Sequence, residues 1–216
     1  MGSAGGLAAA GLVLGLAGGA AGRRVLTRGI HRYDGDPPPR NLAWVVPVAA
    51  LAAAAVAHGL AEHGILVALT GVLAAVMGAV LSAADLDVHR LPRVLTWPCY
   101  PALALLLTAA SALSGDWAAL RRAAWVGLTL WGLYYLLHLL ARRRGLGRGD
   151  VTLAGLIGML LGWFGWEAAA VATYLAFIVA GMAAGALLLL RRAGRKDRIA
   201  FGPAMIGAAL LVLALQ

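Results

Sequence analysis

The sequence is dominated by long runs in which almost nothing carries charge. The clearest, 65–84, is apolar throughout apart from Thr70 and Ser82. About 20 such residues is the length an α-helix needs to cross the hydrocarbon layer of a bilayer. Eight stretches meet the requirement: 4–22, 42–61, 65–84, 94–113, 123–141, 151–166, 168–190 and 199–215. In lipid every backbone N–H and C=O must be paired within its own segment, so such runs fold as helices. The expected fold is therefore all-α, a polytopic membrane bundle of about eight transmembrane helices. Composition agrees, because a chain of 216 residues that is 62% hydrophobic and 12% charged cannot cover a soluble core. Soluble globular, disordered and nucleic-acid-binding architectures are excluded as descriptions of the whole chain. The first stretch is read as a retained helix and not a cleaved leader, since Arg23, Arg24 and Arg28 follow its apolar run instead of preceding it. One membrane-embedded domain is expected over 1–216.

The basic residues give the orientation. Loops 23–41, 85–93, 142–150 and 191–198 hold sixteen of the eighteen Lys and Arg, and the alternate loops 62–64, 114–122 and 167 hold two. The positive-inside rule assigns the first set to the cytoplasm. Arg142–Arg144 and the run from Arg191 to Arg198 are expected to contact anionic headgroups of the bilayer. They lack the interleaved aromatics of a nucleic-acid surface. Trp97, Trp117, Trp163 and Trp166 read as interfacial belt residues, Pro98 and Pro101 as a kink in the fourth span, and Asp34–Pro39 as a stiff turn. A single cysteine, Cys99, excludes an intramolecular disulfide and a Cys-based metal site. No metal and no cofactor is expected.

Of the nine acidic residues, most fall in loops where water solvates them. Asp85, Asp87 and Asp150 instead sit where a cytoplasmic loop meets a span, a depth at which ionisable groups point to function. Asp85 and Asp87 lie in Ala84-Asp85-Leu86-Asp87-Val88-His89-Arg90-Leu91-Pro92. Asp150 closes Gly147-Arg148-Gly149-Asp150 at the start of the sixth span, where free N–H groups favour a carboxylate. Capping a helix would also explain Asp150. Two carboxylates brought together in a low-dielectric site do not both ionise, so one keeps a proton. The ionised acid can then take a proton from water while its partner polarises a peptide carbonyl, the arrangement of aspartic proteases. The same physics suits a small proton-coupled transporter, although no inverted repeat accompanies it.

At these residues the sequence resembles the prepilin peptidases, the bacterial branch of the GxGD intramembrane aspartyl proteases. Asp85 to Pro92, followed by Leu95-Thr96, is similar to the family's first aspartate motif, in which the catalytic acid precedes the Pro by seven positions. Gly147-Arg148-Gly149-Asp150-Val151-Thr152-Leu153 resembles its second motif, and Phe201-Gly202-Pro203 a feature near its C-terminus. The resemblance implies that Asp85 and Asp150 are the catalytic pair, with Gly147, Gly149, Pro92, Asp87, Phe201, Gly202 and Pro203 as substrate-binding or loop-support residues. It further implies a prepilin-like protein as substrate, cleaved at the cytoplasmic face of the bacterial plasma membrane, typically after a Gly, with the substrate's apolar helix lying among the enzyme's helices.

The sequence departs from the family at Arg93, where Asp or Asn is usual, and at Thr152, where Lys is frequent. Larger members carry a zinc-binding domain with paired CxxC motifs after the first helix. The short basic loop 23–41 stands in its place and holds no cysteine, so the N-methylation of bifunctional members is not carried over. The form resembled is the compact one. A non-catalytic assembly subunit is a further alternative, one that would tolerate loss of either acid. Nothing in the sequence fixes the oligomeric state.

Overall fold

The computed structural model describes residues 2–33, 36, 41–140, 146–190 and 200–216. The expectations for Asp34 to Pro39, except Asp36, for Arg142–Arg144 and for Arg191–Arg198 fall outside the described residues. Among those described, every regular element is a helix: α1 (Gly2–Thr27), α2 (Val45–Gly59), α3 (Ile65–Val88), α4 (Arg93–Thr96), α5 (Cys99–Ser114), α6 (Trp117–Leu140), α7 (Arg148–Gly162), α8 (Trp166–Leu189) and α9 (Gly202–Ala214). The short α4 and α5 together form one span, parted at Trp97-Pro98 where proline has no N–H to donate. Each of the eight apolar stretches thus corresponds to one helical segment.

Five of these are long and apolar enough to cross a membrane: α1, α3, α4–α5, α6 and α8. The others, α2, α7 and α9, have 15, 15 and 13 residues, short of the ~20 that a perpendicular crossing takes. α3 is the most buried of the long helices and packs on α1, α2, α5 and α9. α8 is the least buried, and its apolar side chains face outward as a lipid-facing helix's would.

Helices in lipid gain little from hydrophobic association, so they hold together by close backbone packing. α1 presents Gly11, Gly15 and Gly19, one turn apart, to α2; a Cβ on Gly15 would lie 2.5 Å from the Ala50 Cα. α6 and α7 meet in the same way, since a Cβ on Gly158 would lie 2.9 Å from the Gly127 Cα. Gly15→Val should therefore lower the unfolding free energy by about 1–3 kcal/mol, the usual result of forcing atoms into a packed contact. Thermal melting in nanodiscs checks this, with Gly6→Val as the control because a Cβ there has no neighbour within 4 Å.

Two sequence-based boundaries move. α3 continues to Val88 and ends where His89 adopts the left-handed conformation (φ 51°), its N–H donating to the Asp85 carbonyl at 2.8 Å, with Pro92 following. Asp85 and Asp87 consequently belong to the last turn of a helix and not to a loop. α6 begins at Trp117, so Arg121 and Arg122 are helical; the Arg122 guanidinium donates to the Gly162 carbonyl at 2.9 Å and to that of Trp163, closing the end of α7. Trp163 is 7% exposed and joins the core, so it is not an interfacial belt residue as expected; the end of α7 turns it inward. Trp97, Trp117 and Trp166 are exposed near helix ends.

Candidate active site

The end of α3, the starts of α7 and α9, and the segment leaving α1 converge at one end of the bundle. Two helix N-termini come together there, each offering N–H groups without intrahelical partners and the positive end of a helix dipole. An acid sits at each. Asp85, 5% exposed, accepts a hydrogen bond through Oδ2 from the Gly202 N–H of α9 at 3.0 Å. Asp150, third residue of α7, accepts one through Oδ2 from the Gly147 N–H at 2.9 Å. Asp150 thus helps to close the start of α7 from inside its first turn, while the N-cap position itself is Gly147.

The two carboxyls lie within electrostatic reach of one another. Their supports are also in contact, because Gly149 backs onto the segment that follows α3. A Cβ on Gly149 would fall 2.7 Å from the Leu91 Cβ, so only glycine lets α7 start this close to α3. Pro92 continues the turn in an extended conformation, and its carbonyl accepts the Leu95 N–H at 3.0 Å to begin α4. Pro203 occupies the first turn of α9, where a missing N–H costs nothing. Phe201 packs at a tilt against Phe177 (5.2 Å between centroids) and Tyr134 (6.4 Å).

Asp87 is not brought to this pair. Two residues further along a helix is roughly 200° further round it, and Asp87, 1% exposed, turns to the segment after α1, where His31 and Arg32 donate to its Oδ2.

Two further side chains approach Asp150, both from α6. Tyr134 is buried, and its phenol and the His138 imidazole lie within electrostatic reach of the acid. His138 Nδ1 donates to the Leu146 carbonyl at 2.6 Å, fixing the chain immediately before Gly147. Sequence reasoning assigned neither of them to the site, although two polar rings one turn apart on an apolar helix share a face.

Beneath the acids lies a cleft of about 330 Å³ between α3, α5, α7 and α9. Its lining is almost wholly aliphatic and includes Leu81, one turn before Asp85, Leu153, three residues after Asp150, and Ile206, one turn after Gly202. On α3 it extends from Leu81 back to Thr70, about 16 Å of helix. Among the described residues no three His, Cys, Asp or Glu side chains are grouped to hold a metal.

Residues 72–190, more than half of the chain and including both acids, match the sequence model of the type IV leader peptidase family. The chain belongs to that family. Among curated proteins, the prepilin leader peptidase/N-methyltransferase of Aeromonas hydrophila is 34% identical over 86 residues, covering 40% of this chain and 29% of that protein. The protein of the same name from Stutzerimonas stutzeri is 31% identical over 127 residues, covering 57% of this chain and 41% of that one. This type IV leader peptidase family member thus spans less than half the length of the curated relatives it matches. No solved structure matches it.

Proposed function

We propose that this chain is an aspartyl endopeptidase that removes the leader of type IV prepilin-like precursors at the cytoplasmic face of the plasma membrane. The observation that carries the reading is that the end of α3, which bears Asp85, and the start of α7, which bears Asp150, pack together through Leu91 and Gly149 at the head of an apolar cleft. Family membership supports the reaction class.

One acid of the pair is ionised and the other protonated. The ionised carboxylate takes a proton from water as the oxygen attacks the scissile carbonyl carbon. The protonated partner donates to the carbonyl oxygen. Collapse of the tetrahedral intermediate breaks the C–N bond, and the proton taken from water passes to the leaving nitrogen. A hydroxyl of the intermediate returns its proton to the acid that gave one, so the pair regains its shared-proton state, and the products are a carboxylic acid and an amine, which ionise in water. The N–H groups of Gly202 and Gly147 hold the two carboxyls in place through the cycle.

The cleft suits the apolar helix that follows a leader. Its aliphatic lining, running along α3 from Thr70 to Leu81, suits one face of such a helix and leaves the other to lipid. Binding energy gathered there orients the bond above it. The side on which basic residues concentrate supports the cytoplasmic assignment.

Purified protein in nanodiscs should convert a prepilin-like precursor to a product shorter by its leader, read by intact mass. Cys99 lines the cleft and is the sole cysteine. In the inactive Asp85→Asn variant, a disulfide should form between Cys99 and substrate cysteines on one face of the apolar helix, recurring every three to four positions. No cleavage of any precursor, with proton-coupled uptake instead, would replace this reading by the transporter alternative. Absence of the periodic cross-link would remove the cleft from it.

A further inference from the structure

Asp87 presents a problem that the proposed chemistry does not solve. It is a buried acid two residues from a catalytic candidate, yet it faces the opposite way. A carboxylate buried this deeply is tolerated only when paired and hydrogen-bonded. Part of that pairing comes from 56 and 55 residues away: His31 Nε2 lies 2.9 Å from Oδ2, and Arg32 Nη1 donates to the same oxygen. Since a carboxylate only accepts, His31 carries its hydrogen on Nε2. His31 is itself buried, and its Nδ1 has no partner among the described residues, so the ring serves this one contact.

A second grip lies one turn on. Arg90 donates to both oxygens of Asp36 and stacks over the Tyr33 ring, its guanidinium carbon 4.9 Å from the centroid. The Tyr33 N–H donates to Asp36 as well, at 2.8 Å. That N–H, and after it the Arg90 charge, holds the Asp36 carboxyl below the usual carboxylate range and keeps it an anion. His31, Arg32, Tyr33 and Asp36 therefore clasp Asp87 and Arg90, on either side of His89, whose left-handed conformation ends α3. The next residue, Leu91, is the one that backs onto Gly149 beside Asp150. An unbroken chain of contacts runs from the exit of α1 to both acids.

We infer that His31, Arg32 and Asp87 are positioning residues, a clamp that holds the last turn of α3 and the turn at 89–92 in the register where Asp85 and Asp150 oppose one another. This rests on the peptidase reading given above. The basic segment after α1 then has a task of its own, fixing the frame of the site without touching substrate.

The test uses the full chain in nanodiscs with a prepilin-like precursor. A displacement of about 1 Å costs on the order of 100-fold in rate, so Asp87→Asn and Arg32→Gln should each lower kcat by about 10- to 100-fold, with KM within about twofold. Residues in one network do not add, so the double variant should be no slower than the worse single one. His31→Gln should retain more activity than His31→Asn, since a glutamine amide reaches the Nε2 position and an asparagine amide does not. Hydrogen exchange across 86–92 should quicken in Asp87→Asn. Wild-type kcat in Asp87→Asn, multiplicative single effects, or equal loss in the two His31 variants would overturn the clamp. The exchange reading does not depend on catalysis. If the wild-type protein cleaves nothing while exchange at 86–92 quickens in Asp87→Asn, the peptidase reading fails and the clamp stands; unchanged exchange overturns the clamp in either case.

Discussion

Asp150→Asn and Asp85→Asn should each reduce leader cleavage by about 1,000-fold or more, the upper part of the range for losing a positioned acid or base. The substitution keeps the shape of the side chain and leaves an oxygen to accept the Gly147 or Gly202 N–H, so the local fold survives. What it removes is the proton exchange, because a carboxamide neither takes a proton from water nor gives one to a carbonyl. The rate should fall without a matching rise in KM, since the substrate helix is held in the cleft and not by the acids. The double variant should be little worse than either single one, because the two groups act as a unit. Asp87→Asn separates the roles: it is expected to slow the reaction and not to abolish it. Cleavage rates on purified variants, with membrane content matched, check all three.

Gly202→Ala is expected to have the second largest effect. The added Cβ would lie 2.8 Å from Asp85 Oδ2, closer than real atoms sit, and a tight 3.3 Å from its Cγ. The backbone of α9 is braced by α3 and α8, so the carboxyl has to move, and the 3.0 Å hydrogen bond from the Gly202 N–H is lost or bent. Misplacing a catalytic group by about 1 Å costs on the order of 100-fold, and cleavage should fall by about that factor while the melting temperature shifts little. Gly207→Ala is the control on the same helix: a Cβ there has nothing within 4 Å and should leave the rate unchanged. Equal rates for the two variants would mean that the start of α9 does not hold Asp85.

Much of this architecture was legible in the sequence because the bilayer leaves few choices. An apolar run of sufficient length must be a helix, and each of the eight runs corresponds to a helical segment. Boundaries were less legible. Asp85 and Asp87 read as loop residues because they are charged, but the helix continues through them since both find partners: Gly202 for one, His31 and Arg32 for the other. Burial of a charge next to its partner is a tertiary fact, invisible to hydropathy. Trp163 misled in the opposite sense, since its amphipathic ring suits an interface but the end of α7 turns it into the core.

At the site, Asp85, Asp150 and the glycines of 147 and 149 were legible through their motif, and the structure gives each glycine a physical reason. A Cβ on Gly147 would lie 3.2 Å from the Asp150 Oδ2 that accepts its N–H, and Gly149 admits Leu91. His31 and Arg32 carried no signal at all, because their importance comes from a partner 55 and 56 residues away. Tyr134 and His138 left a faint one, their shared face on α6, which points to a site only once Asp150 is known to lie beside it.

The claim beneath all of this is that two acids, one closing α3 and one opening α7, oppose each other before any substrate arrives. It is tested most directly by replacing both with cysteine, Asp85→Cys with Asp150→Cys, in a Cys99→Ser background so that no other thiol competes. A short bifunctional thiol reagent added to the protein in nanodiscs should join the two positions, and the intact mass should rise by one bridging reagent with no free thiol remaining. Two separately capped thiols, with bridging seen only for long flexible reagents, would contradict the account.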